Sequence, residues 1–380
     1  MKAWKFLLLL GSLCLFMPAV LAQTIKLEVV NGSGKGNFTP GTITDILANS
    51  EPPGQIFAGW TGDTTLVANP RERRTTLTIP TNAPNPMTVE ATYRPFTPWQ
   101  PTYELLGPTG ETPVGYYFPP TGHRGVLMVF HGAGGGVTTA LEAVENRLFM
   151  NDAIAAGFAI VASAGAFGDE KWDSTTPPAT NKDYLAVQSV LRTLIFRGYM
   201  TAADPLYGMG ISNGGAFTSY ISYLNNYRAA ALYISAGRNQ VLESSTIPTV
   251  WMLARNDDVV GPEGNNQARN NYENLVRRGV PAALFSRPEQ VVFPLRFARV
   301  PGLQPGDSFQ IHQSLVTNEW IDADGFYIQP PGSPSWQFSI PGRFAADLTP
   351  IGDQLRVCYA SHQFYSEGSS FVLDFFARFP

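Results

Sequence analysis

Four short stretches of the chain carry residue types that could do chemistry together. The first is Gly210-Ile211-Ser212-Asn213-Gly214, which follows the apolar run 206–209 and precedes a helix-compatible segment from Gly215. A serine with glycine two residues to either side, between a strand and a helix, stands at the carboxyl edge of a sheet with its hydroxyl exposed on a strained turn. The glycines are needed because strand and helix pass too close there for a Cβ. A serine hydroxyl attacks an acyl carbonyl only when a base takes its proton and an acid orients that base. Backbone N–H groups must also face the developing oxyanion. The five-residue pattern is common by composition alone, so its weight depends on the other three stretches.

Each of them offers one missing part. The apolar strand 126–130 ends in His131-Gly132-Ala133-Gly134-Gly135-Gly136, a glycine-rich turn rich in free N–H groups. Strand 249–253 is followed by Ala254-Arg255-Asn256-Asp257-Asp258-Val259-Val260. A carboxylate just past a strand is well placed to orient a base. Asp257 fits the spacing best, with Asp258 the runner-up and also the better candidate to cap a helix starting near Pro262. Near the end, 355–359 reads as an apolar strand, leaving His362 on a loop at its carboxyl end with a last helix behind. The chain has four histidines. His123 lies in a polar turn, His312 in a later insertion, and His131 in a position suited to a ring bonded to backbone, which leaves His362 as the base.

The elements that must position these residues alternate. A hairpin (103–106 and 114–118) opens the region. Strand 126–130, a helix over 139–156, strand 158–162 and a helix over 181–197 follow, then the Ser212 strand, 229–234 and 249–253. Strand and helix alternating in this way predict an α/β fold with a mostly parallel sheet and helices on both faces. Such a sheet carries its chemistry at the carboxyl ends of its strands. Residues 286–350 break the rhythm and read as an insertion: a short helix-turn-helix, a turn, a strand and a loop with Pro and Trp, expected to pack as a cap near the site.

Residues 23–95 read differently. Short runs such as IKLEVV, QIFAGW, TTLTIP and VEATYRP, separated by NGSGKG, PPG and NAPNP, are all-β punctuation. FTPWQP, within 96–102, is a Pro-rich, extended linker. The landmarks Val30-Asn31-Gly32-Ser33-Gly34-Lys35-Gly36, Phe57-Ala58-Gly59-Trp60-Thr61-Gly62-Asp63 and Val89-Glu90-Ala91-Thr92-Tyr93 resemble a divergent internalin-type B-repeat of secreted bacterial proteins. That resemblance implies a small β-rich accessory module, serving either attachment to a surface or polymer or as a plain spacer.

The order Ser212, Asp257, His362, with HGAGG upstream, resembles an α/β-hydrolase over residues 103–380. The resemblance implies that the N–H groups of Ala133 and Asn213 hold the oxyanion. It also implies that no cofactor is required. GISNGGAF and HGAGG look most like the secreted esterase and polyhydroxybutyrate-depolymerase-like branch, and the long insertion is the departure. The implied substrate is an ester, on a polymer or its fragments (polyhydroxyalkanoate, polyester, or feruloyl or acetyl polysaccharide). An exported serine peptidase shares the same triad and fold, and a non-catalytic binding protein on a hydrolase scaffold is the third reading.

Composition narrows the rest. The 380 residues are 44% hydrophobic and 15% charged, with a formal net charge of −4 and no Lys/Arg tract, so there is no footprint for nucleic acid. Lys2 and Lys5, an apolar stretch and Val20-Leu21-Ala22 read as a secretory signal peptide over 1–22, cut before Gln23. The expected location is therefore extracellular or periplasmic, with no transmembrane segment after cleavage and a charge of −6 once both lysines leave. Cys14 leaves too, so Cys358 has no partner for an intramolecular disulfide. Cys358 reads as a buried strand residue. Asp322-Ala323-Asp324-Gly325 lacks the spacing and the twelfth-position acid of a calcium loop and reads as a turn; no metal site is expected. Phe167 and Trp172 could line an acyl pocket or sit in the core.

Overall fold

The computed structural model describes residues 24–107, 110–165, 171–332 and 334–380. The expected signal peptide and Phe167 lie outside the described residues. Residues 25–95 form two small sheets. Strands β1 (Ile25–Val30), β2 (Gly32–Ser33), β3 (Gly36–Phe38), β4 (Ile43–Ala48), β5 (Gln55–Gly62), β6 (Arg74–Thr78) and β7 (Met87–Pro95) pair in the orders β3-β1-β7-β5 and β2-β4-β6. Strict alternation along β7 turns Met87, Val89 and Ala91 inward, against Ile25, Leu27, Trp60 and Leu77 from both sheets.

This module is fastened to the rest of the chain rather than held off by a spacer. Within residues 96–101 Thr97, Pro98 and Gln100 are exposed, but Trp99 is anchored: it is 2% exposed, its Nε1–H donates to Asn151 at 2.7 Å, and the Arg147 guanidinium lies 3.8 Å over its ring. The expected extended linker is thus pinned at one residue, Trp99. Its indole joins the apolar cluster of the larger sheet beside Tyr117 and under the Arg147 cation, and the next strand starts at Thr102, inside the predicted linker.

The larger sheet has eight strands: β8 (Thr102–Leu106), β9 (Thr112–Tyr117), β10 (Gly125–Phe130), β11 (Phe158–Ser163), β12 (Leu206–Ile211), β13 (Ala229–Tyr233), β14 (Thr249–Ala254) and β15 (Ala282–Arg287). Their spatial order is β8-β9-β11-β10-β12-β13-β14-β15, antiparallel at β8 and β9 and parallel from β11 onward. Helices α1 (Val137–Glu142), α2 (Val144–Ala155), α3 (Lys182–Phe196), α4 (Asn213–Asn225), α5 (Asn239–Leu242), α6 (Gly261–Arg277), α7 (Pro305–Thr317), α8 (Leu348–Tyr359) and α9 (Ser369–Ala377) complete the chain. The central strands are apolar on both sides because both faces are covered. Leu127 and Val129 of β10 join Phe149 of α2 and Phe375 and Phe376 of α9. Val126, Met128 and Phe130 join Val187, Val190 and Leu194 of α3 and Phe217 of α4.

Several expectations are corrected. The helix placed over 139–156 is two helices, broken at Ala143, whose ψ of 144° leaves the helical region. The segment 355–359 is the last part of helix α8, not a strand. Ile351, Leu355 and Cys358 bury at i, i+4 and i+7 against one another and against Trp336 and Phe344, so Cys358 is a buried helix residue. The insertion begins after Arg287, because 282–287 is an edge strand paired with β14. Residues 288–347 hold 3-10 turns at Arg296–Arg299, Pro334–Ser339 and Gly342–Asp347 around α7, and the expected strand there is reduced to single bridges at Phe326 and Tyr327. Asp322 forms a turn, its Oδ1 accepting from the N–H groups of Asp324 and Phe326.

Candidate active site

The chain passes from β10 to β11 on one side and returns to β12 on the other, so the direction of strand addition reverses between β10 and β12. A sheet opens a crevice at such a switch point. Phe130, the last residue of β10, pairs with Gly210 near the end of β12, which sets His131-Gly132-Ala133 beside Ile211-Ser212-Asn213. The two motifs are neighbours because of this register.

Ser212 sits at φ 55°, ψ −119°, a backbone conformation that a side-chain-bearing residue adopts at a cost of about 1–3 kcal/mol. The surroundings force it. A Cβ at Gly210 would lie 2.1 Å from Thr218 Oγ1 and 2.2 Å from the Gly214 carbonyl oxygen. One at Gly214 would lie 2.3 Å from the carbonyl oxygens of both Phe130 and His131. Helix α4 begins at Asn213, two residues earlier than expected, directly behind the serine.

The His362 ring bridges two strand ends. Its Nε2 lies 2.8 Å from Ser212 Oγ, and its Nδ1 lies 2.9 Å from both carboxylate oxygens of Asp257. The Asp257 side chain is fully buried, and its Oδ1 also accepts from the N–H groups of Val259 and Val260 at 3.0 and 2.9 Å. Asp258 is exposed, and among the described residues its side chain accepts the His362 N–H alone, at 3.3 Å. It caps no helix: α6 starts behind Val260 without a side-chain cap, and the turn that leads into it is held by Asp257. The carboxylate nearer the strand reaches both the ring and the following backbone, which leaves Asp258 pointing outward.

The loop after β10 turns tightly, with Gly134 at φ 78° and the Gly135 N–H on the Gly132 carbonyl. His131 is buried, and its Nδ1 is 2.8 Å from the Gly132 carbonyl oxygen. No protein acceptor meets the N–H of Ala133 or of Asn213 among the described residues. Trp172 belongs to the core: its ring stacks on Phe217 at 4.5 Å, and its indole N–H donates to the His131 carbonyl at 3.1 Å. Sequence reasoning missed the role of the Asn213 side chain. Its Oδ1 accepts the Trp172 N–H at 2.6 Å and its Nδ2 donates to the Trp172 carbonyl at 3.1 Å, so the elbow and the loop beyond β11 are clamped together. An amide next to a candidate nucleophile was the available signal.

A cleft of about 240 Å³ opens beside these groups, lined by the 131–135 loop, Thr139, Ala143, Asn146, Asp353 and His362 among others. Its far wall is α8, where burial pushes the Asp353 carboxyl up. No residue of 288–347 lines it among the described residues, so the expected cap does not cover it. That segment instead braces the loop behind His362. His123 pairs with Asp204, and His312 meets the Val292 carbonyl oxygen; neither approaches Ser212. Among the described residues no group of His, Cys, Asp and Glu could hold a metal ion, and no helix is long and apolar enough to cross a membrane.

No protein-family model matches the chain, and no curated protein matches it. Solved structures similar to it include a ferulic acid esterase, 14% identical over 50% of this chain and 91% of that one, with a TM-score of 0.38. An S-formylglutathione hydrolase from Agrobacterium tumefaciens is 13% identical over 46% of this chain and 80% of that one, with a TM-score of 0.36. A thermostable esterase is 17% identical over 69% of this chain and 90% of that one, also with a TM-score of 0.36. The fold rests on the strand order itself. An antiparallel pair leading into a parallel sheet, the reversal between β10 and β12, and a serine elbow at the end of β12 make residues 102–380 an α/β-hydrolase fold.

Proposed function

We propose that the protein is an exported serine hydrolase of carboxylic esters. The observation that carries this reading is the continuous hydrogen-bonded line from Ser212 Oγ through His362 to the buried Asp257 carboxylate, beside two N–H groups without protein acceptors. In this mechanism His362 Nε2 takes the Ser212 proton as Oγ attacks the acyl carbon. Asp257 holds the Nδ1–H tautomer and supports the positive charge on the ring. The N–H groups of Ala133 and Asn213 receive the oxyanion. The imidazolium then protonates the departing alcohol, and water, deprotonated by His362, releases the acid from Ser212.

The cleft bears on substrate size. About 240 Å³ is below the volume of most drug-sized ligand sites, so the reading favours short acyl groups, with a larger alcohol portion left outside. An ester-bearing polymer or its fragments, met outside the cell after removal of residues 1–22, fits that geometry. Residues 23–95 are then an attachment module.

The test is hydrolysis of p-nitrophenyl acetate, butyrate and palmitate and of a peptide anilide by the intact chain and by Ser212→Ala. Turnover of the short esters, lost by about 10⁴-fold or more in the variant, is the expected result. Cleavage of the anilide in preference to the esters would assign a peptidase, and equal inactivity of both proteins on every substrate would assign a binding protein.

A further inference from the structure

Behind the loop that carries His362 lies a set of buried charges that the proposed reaction does not use. Arg296 and Arg299 meet Glu145 of α2 and Glu367, five residues beyond His362. Arg296 Nη1 is 2.5 Å from Glu367, and Arg299 Nη1 is 2.9 Å from Glu145. Glu145 also accepts from the N–H and hydroxyl of Ser366, at 2.9 and 2.6 Å. Against the cost of burial, Arg299 and Arg296 hold the Glu145 carboxyl below its usual range.

Arg287, at the end of β15, adds a third cation. It is 0% exposed, and none of its Nε, Nη1 and Nη2 atoms has a protein partner among the described residues. Its guanidinium lies 4.0 Å over the Tyr365 ring, which engages a face and leaves the edge with its five N–H donors free. The charged groups that act on it are Glu367, already engaged by Arg296 and Arg299, and Arg296 itself. A guanidinium does not shed its proton on burial as an ammonium can. Arg287 is therefore a buried cation whose one acting carboxylate, Glu367, is shared with two other arginines, in surroundings where an unpaired charge costs several kcal/mol.

Other buried donors nearby are also unmatched. They are Arg296 Nε, the Gln290 side-chain amide, whose backbone N–H meets the Cys358 carbonyl, and the amide of Gln354, one turn before Cys358 on α8. The free acceptors are Glu367 Oε2 and Gln354 Oε1. Turning either of them toward Arg287 satisfies one N–H and leaves the others without a protein acceptor.

We propose that Arg287 is the principal ligand of an internal site for a monovalent, chloride-sized anion. The single guanidinium charge without a hydrogen-bond partner selects one negative charge, and its complete burial selects an ion of atomic size. Because Tyr365, Ser366 and Glu367 lie three to five residues beyond His362, the bound ion would steady the loop that presents the imidazole. The site does not depend on what Ser212 attacks.

The test uses the intact chain in sodium chloride and in sodium gluconate at equal ionic strength, gluconate being too large to enter. The expected result is a saturable rise in Tm with chloride of about 2–4 °C, absent in gluconate and absent in Arg287→Met. Crystals soaked in bromide should show an anomalous peak in hydrogen-bond contact with Arg287. Equal Tm in the two salts, bromide-soaked crystals with no peak there, or an Arg287→Met protein that keeps the chloride response would each overturn the proposal. If that variant does not fold, the two measurements on the unaltered chain decide.

Discussion

Glu72 offers a direct way to test how the small β module is held. Its carboxylate reaches across to the N-terminus of α9, where Oε2 accepts the Gly368 N–H at 2.9 Å and Oε1 accepts the Ser370 N–H at 2.9 Å and its hydroxyl at 2.5 Å. Burial nevertheless raises its pKa from 4.5 to about 7, Ser370 and Gly368 pulling the other way. The folded protein thus keeps a proton that the unfolded chain releases near pH 4.5. Stability from this group is full below that pH and is lost as pH rises through about 7, by about 3 kcal/mol in all. Glu72→Gln has no proton to lose. Guanidinium unfolding followed by tryptophan fluorescence, from pH 4.5 to about pH 8, should show the native protein losing about 3 kcal/mol relative to the variant across that interval. Groups common to both proteins, such as Asp353 and His312, cancel in the difference. Parallel stability curves for the two proteins would refute the reasoning.

Two further perturbations separate neighbours that the sequence left close. Asp257→Asn should lower kcat by about 10⁴-fold, while Asp258→Asn, which touches only the His362 backbone, should stay within about threefold; initial rates on a short ester decide, and similar losses would reassign the acid. Gly214→Ala drives a Cβ against two backbone carbonyls 2.3 Å away, which costs about 1–3 kcal/mol or more and spreads the elbow from the 131–135 loop. A variant with unchanged Tm and kcat, by calorimetry and rate assay, would contradict that packing.

The site was more legible in the sequence than the frame behind it. Short apolar runs ending in Gly210-Ile211-Ser212, His131-Gly132 and Asn256-Asp257 state both strand and strand end, because a parallel strand buried on both faces must be apolar throughout and must stop where polar residues begin. Helix α8 was misread. Pro350 and Gly352 in its first turns disguise the 3.6-residue period, although proline is tolerated there because those N–H groups have no intrahelical acceptor. Strand β15 was missed because all of Ala282–Ser286 is only half-buried at the sheet edge. The buried charges were invisible for another reason. Glu72 with Ser370, Arg73 with Asp152 and Arg296 with Glu145 are separated by long stretches of chain, and no local pattern distinguishes a glutamate bound for the interior from one bound for water.

The fastening of the β module has a mechanical consequence. Arg73 is gripped between Glu51 of its own module and Asp152 of α2, Arg71 pairs with Asp374 of α9, and Trp99 is buried in the connection. Among the described residues these contacts tie the part proposed to adhere directly to the part proposed to cut. A molecule so built and adhering through residues 23–95 would present its cleft at one fixed height and tilt, and could not sweep an area around a single anchor point. Progress over an insoluble substrate would then require the whole body to let go and land again, so the lifetime of adhesion, rather than the reach of a tether, would set how much surface each molecule clears.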